Sequence, residues 1–205
     1  MSANSLPPGA SSLQATAQLD QLLAQRRTIK PEKFSSRDIP RETLQELLEA
    51  AQLAPTHKLT EPWLFTIFTG SGREKLGAYQ AALYERVTDP KSFKLPKQEK
   101  IRNRPSLAPA VIALGVRPHP EKLPQIEEIA AASCAIQNLM LAASARGISS
   151  YWGSGGVTYR SEMVEWLGWQ PGDLPLGYLY LGYTDHDPGP RRRQLLEQRV
   201  RWVEE

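Results

Sequence analysis

The sequence predicts one α+β domain built in layers, and three observations carry that prediction. Three apolar, β-branched or aromatic runs, 63–69, 109–116 and 175–183, alternate with helical patterns at uneven spacing. The longest helical pattern, 125–146, carries small residues almost all the way round, as a helix packed against more than one neighbour does. A chain of 205 residues with 40% hydrophobic and 23% charged content can bury one sizeable core, and no linker divides it.

The elements follow in order. The opening "MSANSLPPGASS" lacks the basic and apolar regions of a signal peptide, and its Ser/Pro/Gly content predicts a disordered lead-in over 1–17. The domain is expected over 18–205, beginning with a short helical stripe of Leu19, Leu22 and Leu23 that runs into Arg26. "IPRETLQELLEAAQLAP" predicts a stronger helix. Pro40 suits its first turn, Glu42 favours the positive end of its dipole, and Pro55 stops it. Leu44, Leu47, Leu48 and Ala51 form its buried stripe. "WLFTIFT" (63–69) is a strand, and a helix is expected over 72–87.

The segment "KSFKLPKQEKIRNR" (91–104) carries six Lys and Arg against the single Glu99. "PAVIALGV" (109–116) is a continuous apolar run, the pattern of a buried central strand. The Ala-rich helix over 125–146 is ended by Gly147 and encloses Cys134, which is expected in the core. "SSYWGSGGVTY" reads as a Gly-rich turn, followed by a short helix with Met163 and Trp166 and then the strand "PLGYLYLGY" (175–183). Arg191, Arg192 and Arg193 and a charged tail close the chain.

Composition excludes several classes of function. A single cysteine allows no internal disulfide and no multi-cysteine metal site. His57, His119 and His186 form no HxxxH or HExxH pair, so no metal site is expected. No GxSxG elbow, GxGxxG fingerprint or Walker loop is present. No apolar run reaches the ~20 residues of a membrane span, and a cytoplasmic protein is the simplest reading. Net charge of +3 with pI near 9.0 is a mild basic bias. A nucleic-acid module using 91–104 is a competing reading, but that segment has one aromatic residue, Phe93, and no recognised motif.

What remains is a set of binding residues in a fixed order. Arg26-Arg27-Thr28 offers two guanidiniums and a hydroxyl, a suitable set for phosphate. "APTHKLTEPW" (54–63) holds His57, Lys58 and Glu61 between two prolines and ends on Trp63. "WGSGG" (152–156) has three glycines in five residues, which lets backbone N–H groups approach a ligand closely.

Taken in sequence, Arg-Arg-Thr, "AAQLAPTHKLTEPW", the Ala-rich helix, "WGSGG", "LGY" and "PRRRQLLE" resemble the nitroreductase family, nearest to its minimal, YdjA-type members, over residues 20–203. The resemblance implies a three-layer α/β/α sandwich with a mainly antiparallel central sheet. It also implies a homodimer binding FMN at the subunit interface, and ping-pong reduction of a nitroaromatic, quinone or similar small oxidant by NADH or NADPH. By the same resemblance Arg26, Arg27 and Thr28 hold the FMN phosphate and the polar flavin edge, and Arg191 and Arg193 reach the phosphate. His57 and Glu61 contact the flavin from the partner subunit, and Trp152, Gly153, Ser154 and Gly155 form the later flavin-binding turn. No side chain is expected to act as acid or nucleophile, because the hydride passes through flavin N5.

Three departures accompany the resemblance. Glu61 stands where the family usually has glutamine, Gly153 where its nearest members often have arginine, and the usual asparagine two residues after His57 is missing. Glu61 and Gly153 are the features that favour an alternative, a flavin-binding protein for storage or sensing with little turnover.

Overall fold

The computed structural model describes residues 12–189 and 193–204. Ten regular elements run along it: α1 (Ser12–Gln25), α2 (Arg41–Gln52), β1 (Trp63–Phe68), α3 (Ser71–Val87), α4 (Leu95–Asn103), β2 (Ala110–Val116), α5 (Gln125–Ala145), β3 (Ser149–Gly153), α6 (Ser161–Trp166) and β4 (Leu174–Gly182). The four strands form one antiparallel sheet in the order β1-β2-β4-β3. A single parallel bridge, Thr28 with Ser150, adds the segment after α1 to the β3 edge.

β2 lies at the centre because every one of its seven residues is apolar or glycine, and all seven are buried. Its side chains alternate between the two faces of the sheet. Ala110, Ile112 and Leu114 join Leu179 and Leu181 of β4 beneath α2 and α5. Val111 and Ala113 join Tyr178 and Tyr180 beneath α3, with Met163 of α6 in the same cluster. Helices therefore cover both faces, and the molecule is a three-layer α/β/α sandwich of the α+β class.

α2 buries Leu44, Leu47 and Ala51, with Leu48 partly covered, which is the predicted stripe. Pro40 stands at its N-cap and Glu42 in its first turn. α5 buries one face against the sheet through Ala131, Ala132, Ala135, Ile136, Leu139 and Ala143. Away from the sheet, Ile126, Ala130 and Cys134 of the same helix are exposed.

Three expectations are corrected, and the basic segment 91–104 gains an element that the sequence had left open. α1 begins at Ser12, inside the lead-in expected over 1–17; the run from Leu13 to Ala17 is made of residues with no helix breaker. The segment 91–104 contains the helix α4, with Pro96 in its first turn. "SSYWG" is the edge strand β3, and the turn starts only after it. Tyr151 and Trp152 explain why: they point to opposite faces, Tyr151 into the α3-side cluster and Trp152 into the α5-side cluster, a period of two hidden by flanking Ser and Gly. Cys134 is exposed on α5 rather than in the core.

Candidate functional site

Arg26, Arg27 and Thr28 leave α1 and run straight onto the sheet. Ile29 donates its backbone N–H to the Ser150 carbonyl at 3.1 Å, which fixes this segment beside β3. Arg26 and Arg27 line a pocket of about 190 Å³ with Ser149, Ser150 and Gly147 on one side and Thr184 and His186 on another. The Arg27 guanidinium donates to the Gly189 carbonyl. Two guanidiniums and several hydroxyls around one pocket suit a doubly charged anion. Arg193 is an exposed residue of the C-terminal segment. Arg191 lies outside the described residues.

At the other end of β3 the chain enters the glycine turn. Trp152 spends its indole on packing: it lies in the α5-side cluster and Nε1 donates to the Leu176 carbonyl at 2.9 Å. Ser154 and Gly155 are exposed, and a Cβ built on Gly155 would meet nothing within 4 Å. The Gly155 carbonyl accepts from the Thr158 hydroxyl at 2.6 Å, closing the turn. From Ser149 to Gly153 the edge strand spans about 13 Å. The arginine pocket and the glycine turn therefore lie near opposite ends of one sheet edge.

His57 and Glu61 sit on a loop that departs from ordinary backbone geometry. Lys58, Leu59 and Glu61 all have positive φ, at 50°, 53° and 44°, although none is glycine. Each such residue costs on the order of 1–3 kcal/mol, and strain of this kind gathers at ligand sites. The loop is held by several contacts. The Glu61 N–H donates to the Thr56 hydroxyl at 3.1 Å, the Lys58 ammonium donates to the Lys122 carbonyl at 2.7 Å, and His57 Nδ1 lies 2.7 Å from Glu127 Oε2.

These residues do not meet Arg26 and Arg27 within one chain. His57 is tied to Glu127 in the first turn of α5, while the arginine pocket is lined by Ser144 and Gly147 at the far end of that helix. Seventeen residues of helix separate Glu127 from Ser144, about 25 Å.

Two features escaped the sequence. One is a buried carboxylate, Glu128, that accepts from the His119 backbone N–H at 2.7 Å and faces His119 Nδ1 at 2.9 Å. Burial pushes its carboxyl up, but the hydrogen bonds from His119 and from the Thr60 hydroxyl outweigh that and hold it below its ordinary value. The other is a group of tyrosines, Tyr151, Tyr178 and Tyr180, beside Arg104, whose guanidinium carbon lies 4.7 Å from the Tyr151 ring centre. Burial pushes the Tyr180 phenol up to about 12, with Arg104 opposing. The alternation of Tyr178 and Tyr180 along β4 was the available signal, since alternate residues share a face.

A pocket lined by two arginines and a glycine turn lie along the edge strand of an antiparallel three-layer sandwich of the α+β class. Comparison with known proteins makes the assignment particular: the chain belongs to the nitroreductase family, whose model matches residues 23–183. It is 34% identical over 143 residues, 69% of this chain and 75% of the relative, to YdjA of Escherichia coli (strain K12), a protein named provisionally as an NAD(P)H nitroreductase. A nitroreductase-like family protein from Bacillus cereus superposes with a TM-score of 0.78 at 26% identity, covering 100% of both chains. The FMN-dependent nitroreductase NfnB from Mycobacterium smegmatis, solved with NADPH, superposes at 0.73 with 21% identity over 93% of this chain and 100% of its own. Among the described residues no helix is long and apolar enough to cross a membrane.

Proposed function

We propose that this protein is an FMN-dependent oxidoreductase that takes reducing equivalents from NADH or NADPH and passes them to a nitroaromatic, a quinone or a similar small oxidant. Family membership supports the class, and the donor set along β3 fits the cofactor. Arg26 and Arg27 hold the phosphate, with Thr28 beside them, and the family resemblance adds Arg191 and Arg193 to the same role. The glycine turn lies one strand length away, where Gly153, Ser154 and Gly155 present backbone rather than side chain to the polar edge of a flat ring. Trp152 supports that turn from beneath through its bond to Leu176. The bound flavin supplies the hydride chemistry; the chain's own residues orient the ring, neutralise the phosphate and keep the turn rigid.

The observation that carries this reading is the separation of the two halves of the site. About 25 Å of helix stands between the His57 loop and the arginine pocket, further than one FMN spans. Both halves can touch one cofactor only if a second copy contributes its His57 and Glu61. Two α5 helices packed antiparallel would bring the first turn of one to the last turn of the other. The faces such a pairing would cover are apolar: Leu19 and Leu23 of α1, Leu53, Leu59 and Ile126 are all exposed in the single chain. This supports reading the protein as a homodimer with FMN at the seam, working in the cytoplasm where both nicotinamide nucleotides are found.

The test is the absorbance spectrum of the purified protein, followed by anaerobic addition of NADH or NADPH. A flavin spectrum that bleaches within the mixing time supports the enzyme. A flavin spectrum that neither nucleotide bleaches would replace it with a binding protein, and a colourless protein that takes up no FMN would overturn the reading altogether.

A further inference from the structure

His57 meets a carboxylate that no motif singled out. Glu127 stands in the first turn of α5, and its Oε2 lies 2.7 Å from His57 Nδ1. An ionised carboxylate only accepts hydrogen bonds. At that distance His57 Nδ1 therefore carries a proton, since two facing lone pairs would repel. A neutral imidazole holds one proton, so its Nε2 is left as a bare acceptor.

Stability does not account for the pair. The side chains of His57 and Glu127 are 61% and 43% exposed in the single chain, and an exposed ion pair adds little to folding. Nor does the loop depend on it for its course. The Lys58 ammonium donates to the Lys122 carbonyl at 2.7 Å, and the Glu61 N–H donates to the Thr56 hydroxyl at 3.1 Å, both without Glu127. What Glu127 adds is the choice of ring nitrogen. It is well placed to make that choice, because the next residue, Glu128, pins the helix start: its carboxylate is 1% exposed and accepts from the His119 backbone N–H at 2.7 Å. A second-shell carboxylate on a fixed helix turn is a known way to set a histidine's tautomer and orientation.

The outcome is a loop that offers acceptors. Glu61, exposed four residues after His57, is an acceptor when ionised, and His57 Nε2 is another. Such a pair suits a ligand edge made of hydroxyl and N–H donors and disfavours an edge of carbonyls. On the two-subunit reading above, on which this inference rests, those donors are the ribityl hydroxyls and ring N–H of the FMN bound across the seam. We propose that Glu127 is a positioning residue: it holds the proton on His57 Nδ1, so that Nε2 accepts a hydrogen bond from that cofactor.

The test combines imidazole nitrogen NMR with FMN affinity. The chain has three histidines, and His57 is assigned by the signals that His57→Gln removes. Long-range nitrogen–proton spectra are recorded on the full chain at pH ~8.5, above the ordinary imidazole range, with and without FMN. The His57 ring should show a protonated Nδ1 and a bare Nε2. Glu127→Gln, whose amide oxygen still accepts from Nδ1, should keep that pattern and hold FMN within about two-fold of the wild type. Glu127→Leu should lose the pattern and weaken FMN about three- to ten-fold, the scale of one hydrogen bond, at an unchanged elution volume. Lys58→Met, which removes a neighbouring tether of the loop, should leave the ring pattern as it is.

A proton on Nε2 in the wild type, or undiminished FMN affinity in Glu127→Leu, would overturn the proposal. So would equal losses in Glu127→Gln and Glu127→Leu, which would make the charge rather than the acceptor the cause. A chain that takes up no FMN overturns the flavin reading and the role of Nε2 with it, whereas FMN bound beside a ring protonated on Nε2 overturns this inference alone.

Discussion

Glu128 and His119 form the most enclosed charged contact in the molecule's described part: the carboxylate is 1% exposed and takes both the backbone N–H and the imidazole of His119, at 2.7 and 2.9 Å. The pair clamps the loop after β2 onto the first turn of α5. One residue earlier, Glu127 reaches in another direction, to His57 on the strained loop. Two consecutive carboxylates thus set the position of two loops relative to one helix start, where negative charge is also favoured by the helix dipole.

The lowered Glu128 carboxyl fixes the sign of an acid effect. A group whose folded value is depressed contributes stability above its unfolded value, ordinarily 4.5, and loses it as pH falls through the folded value. Glu128→Gln should therefore cost about 2 kcal/mol at pH 7, the scale of buried hydrogen bonds to a charged group, and progressively less below pH ~4.5. Urea denaturation of both proteins at several pH values measures the gap. A gap that stays constant down to pH 3 would contradict the assignment.

Arg27 is the residue whose loss should separate cofactor binding from folding. Its segment is anchored to β3 through backbone contacts of Thr28 and Ile29, which alanine at position 27 keeps. Arg27→Ala should reduce FMN affinity roughly 10- to 100-fold, as expected for one charge-assisted contact to phosphate. Flavin retained after gel filtration, read as the ratio of flavin to protein absorbance, checks it; the elution volume should stay that of the wild type. Undiminished flavin content would remove Arg27 from the phosphate site.

The fold was legible wherever a hydrophobic period was long. β2 could be read because seven consecutive residues are apolar or glycine, and α2 because Leu44, Leu47 and Ala51 repeat at helical spacing. β3 was not, since its five residues include two serines and a glycine and its two aromatics serve opposite faces. Motifs located Arg27, His57 and the glycine turn but said nothing of distance. That the first two lie near opposite ends of α5 is a consequence of the helix, and it is this separation that turns a list of residues into an argument for two subunits. Cys134 was misplaced for the same reason: an apolar helix looks like core until one knows that only one of its faces meets the sheet.

Glu61 is the departure with the clearest chemical consequence. A carboxylate beside a flavin accepts a hydrogen bond but disfavours added negative charge, so it holds the reduction potential down. Glu61→Gln removes that charge and restores a group that can also donate. At ~4 Å in water a unit charge is worth about 1 kcal/mol, which is roughly 20 mV for a two-electron couple. The variant should hold FMN severalfold more tightly and show a midpoint potential raised by about that amount. Dye-linked anaerobic titration measures it, and an unchanged or lowered potential would place Glu61 away from the ring.

Gly177 supports the glycine turn from the neighbouring strand, and its replacement tests how rigid that support is. It has φ of +128°, and a Cβ there would lie 2.6 Å from the Gly153 carbonyl oxygen and 2.8 Å from Trp152 Nε1. Alanine therefore meets two costs, a backbone conformation that L residues avoid and a collision with main chain that cannot swing aside. The first is worth about 1–2 kcal/mol and the second about 1–3 kcal/mol. Gly172 provides the control, since its φ is also positive, +97°, yet a Cβ there meets nothing within 4 Å. Gly172→Ala should show the backbone cost alone, a fall in Tm of a few degrees, while Gly177→Ala should lose roughly 10 °C for a domain of this size. Because the displaced oxygen belongs to Gly153, Gly177→Ala should also release flavin, and Gly172→Ala should not. Equal melting temperatures for the two variants would mean that β4 can shift away from the turn, and that the turn's geometry is not held from this side.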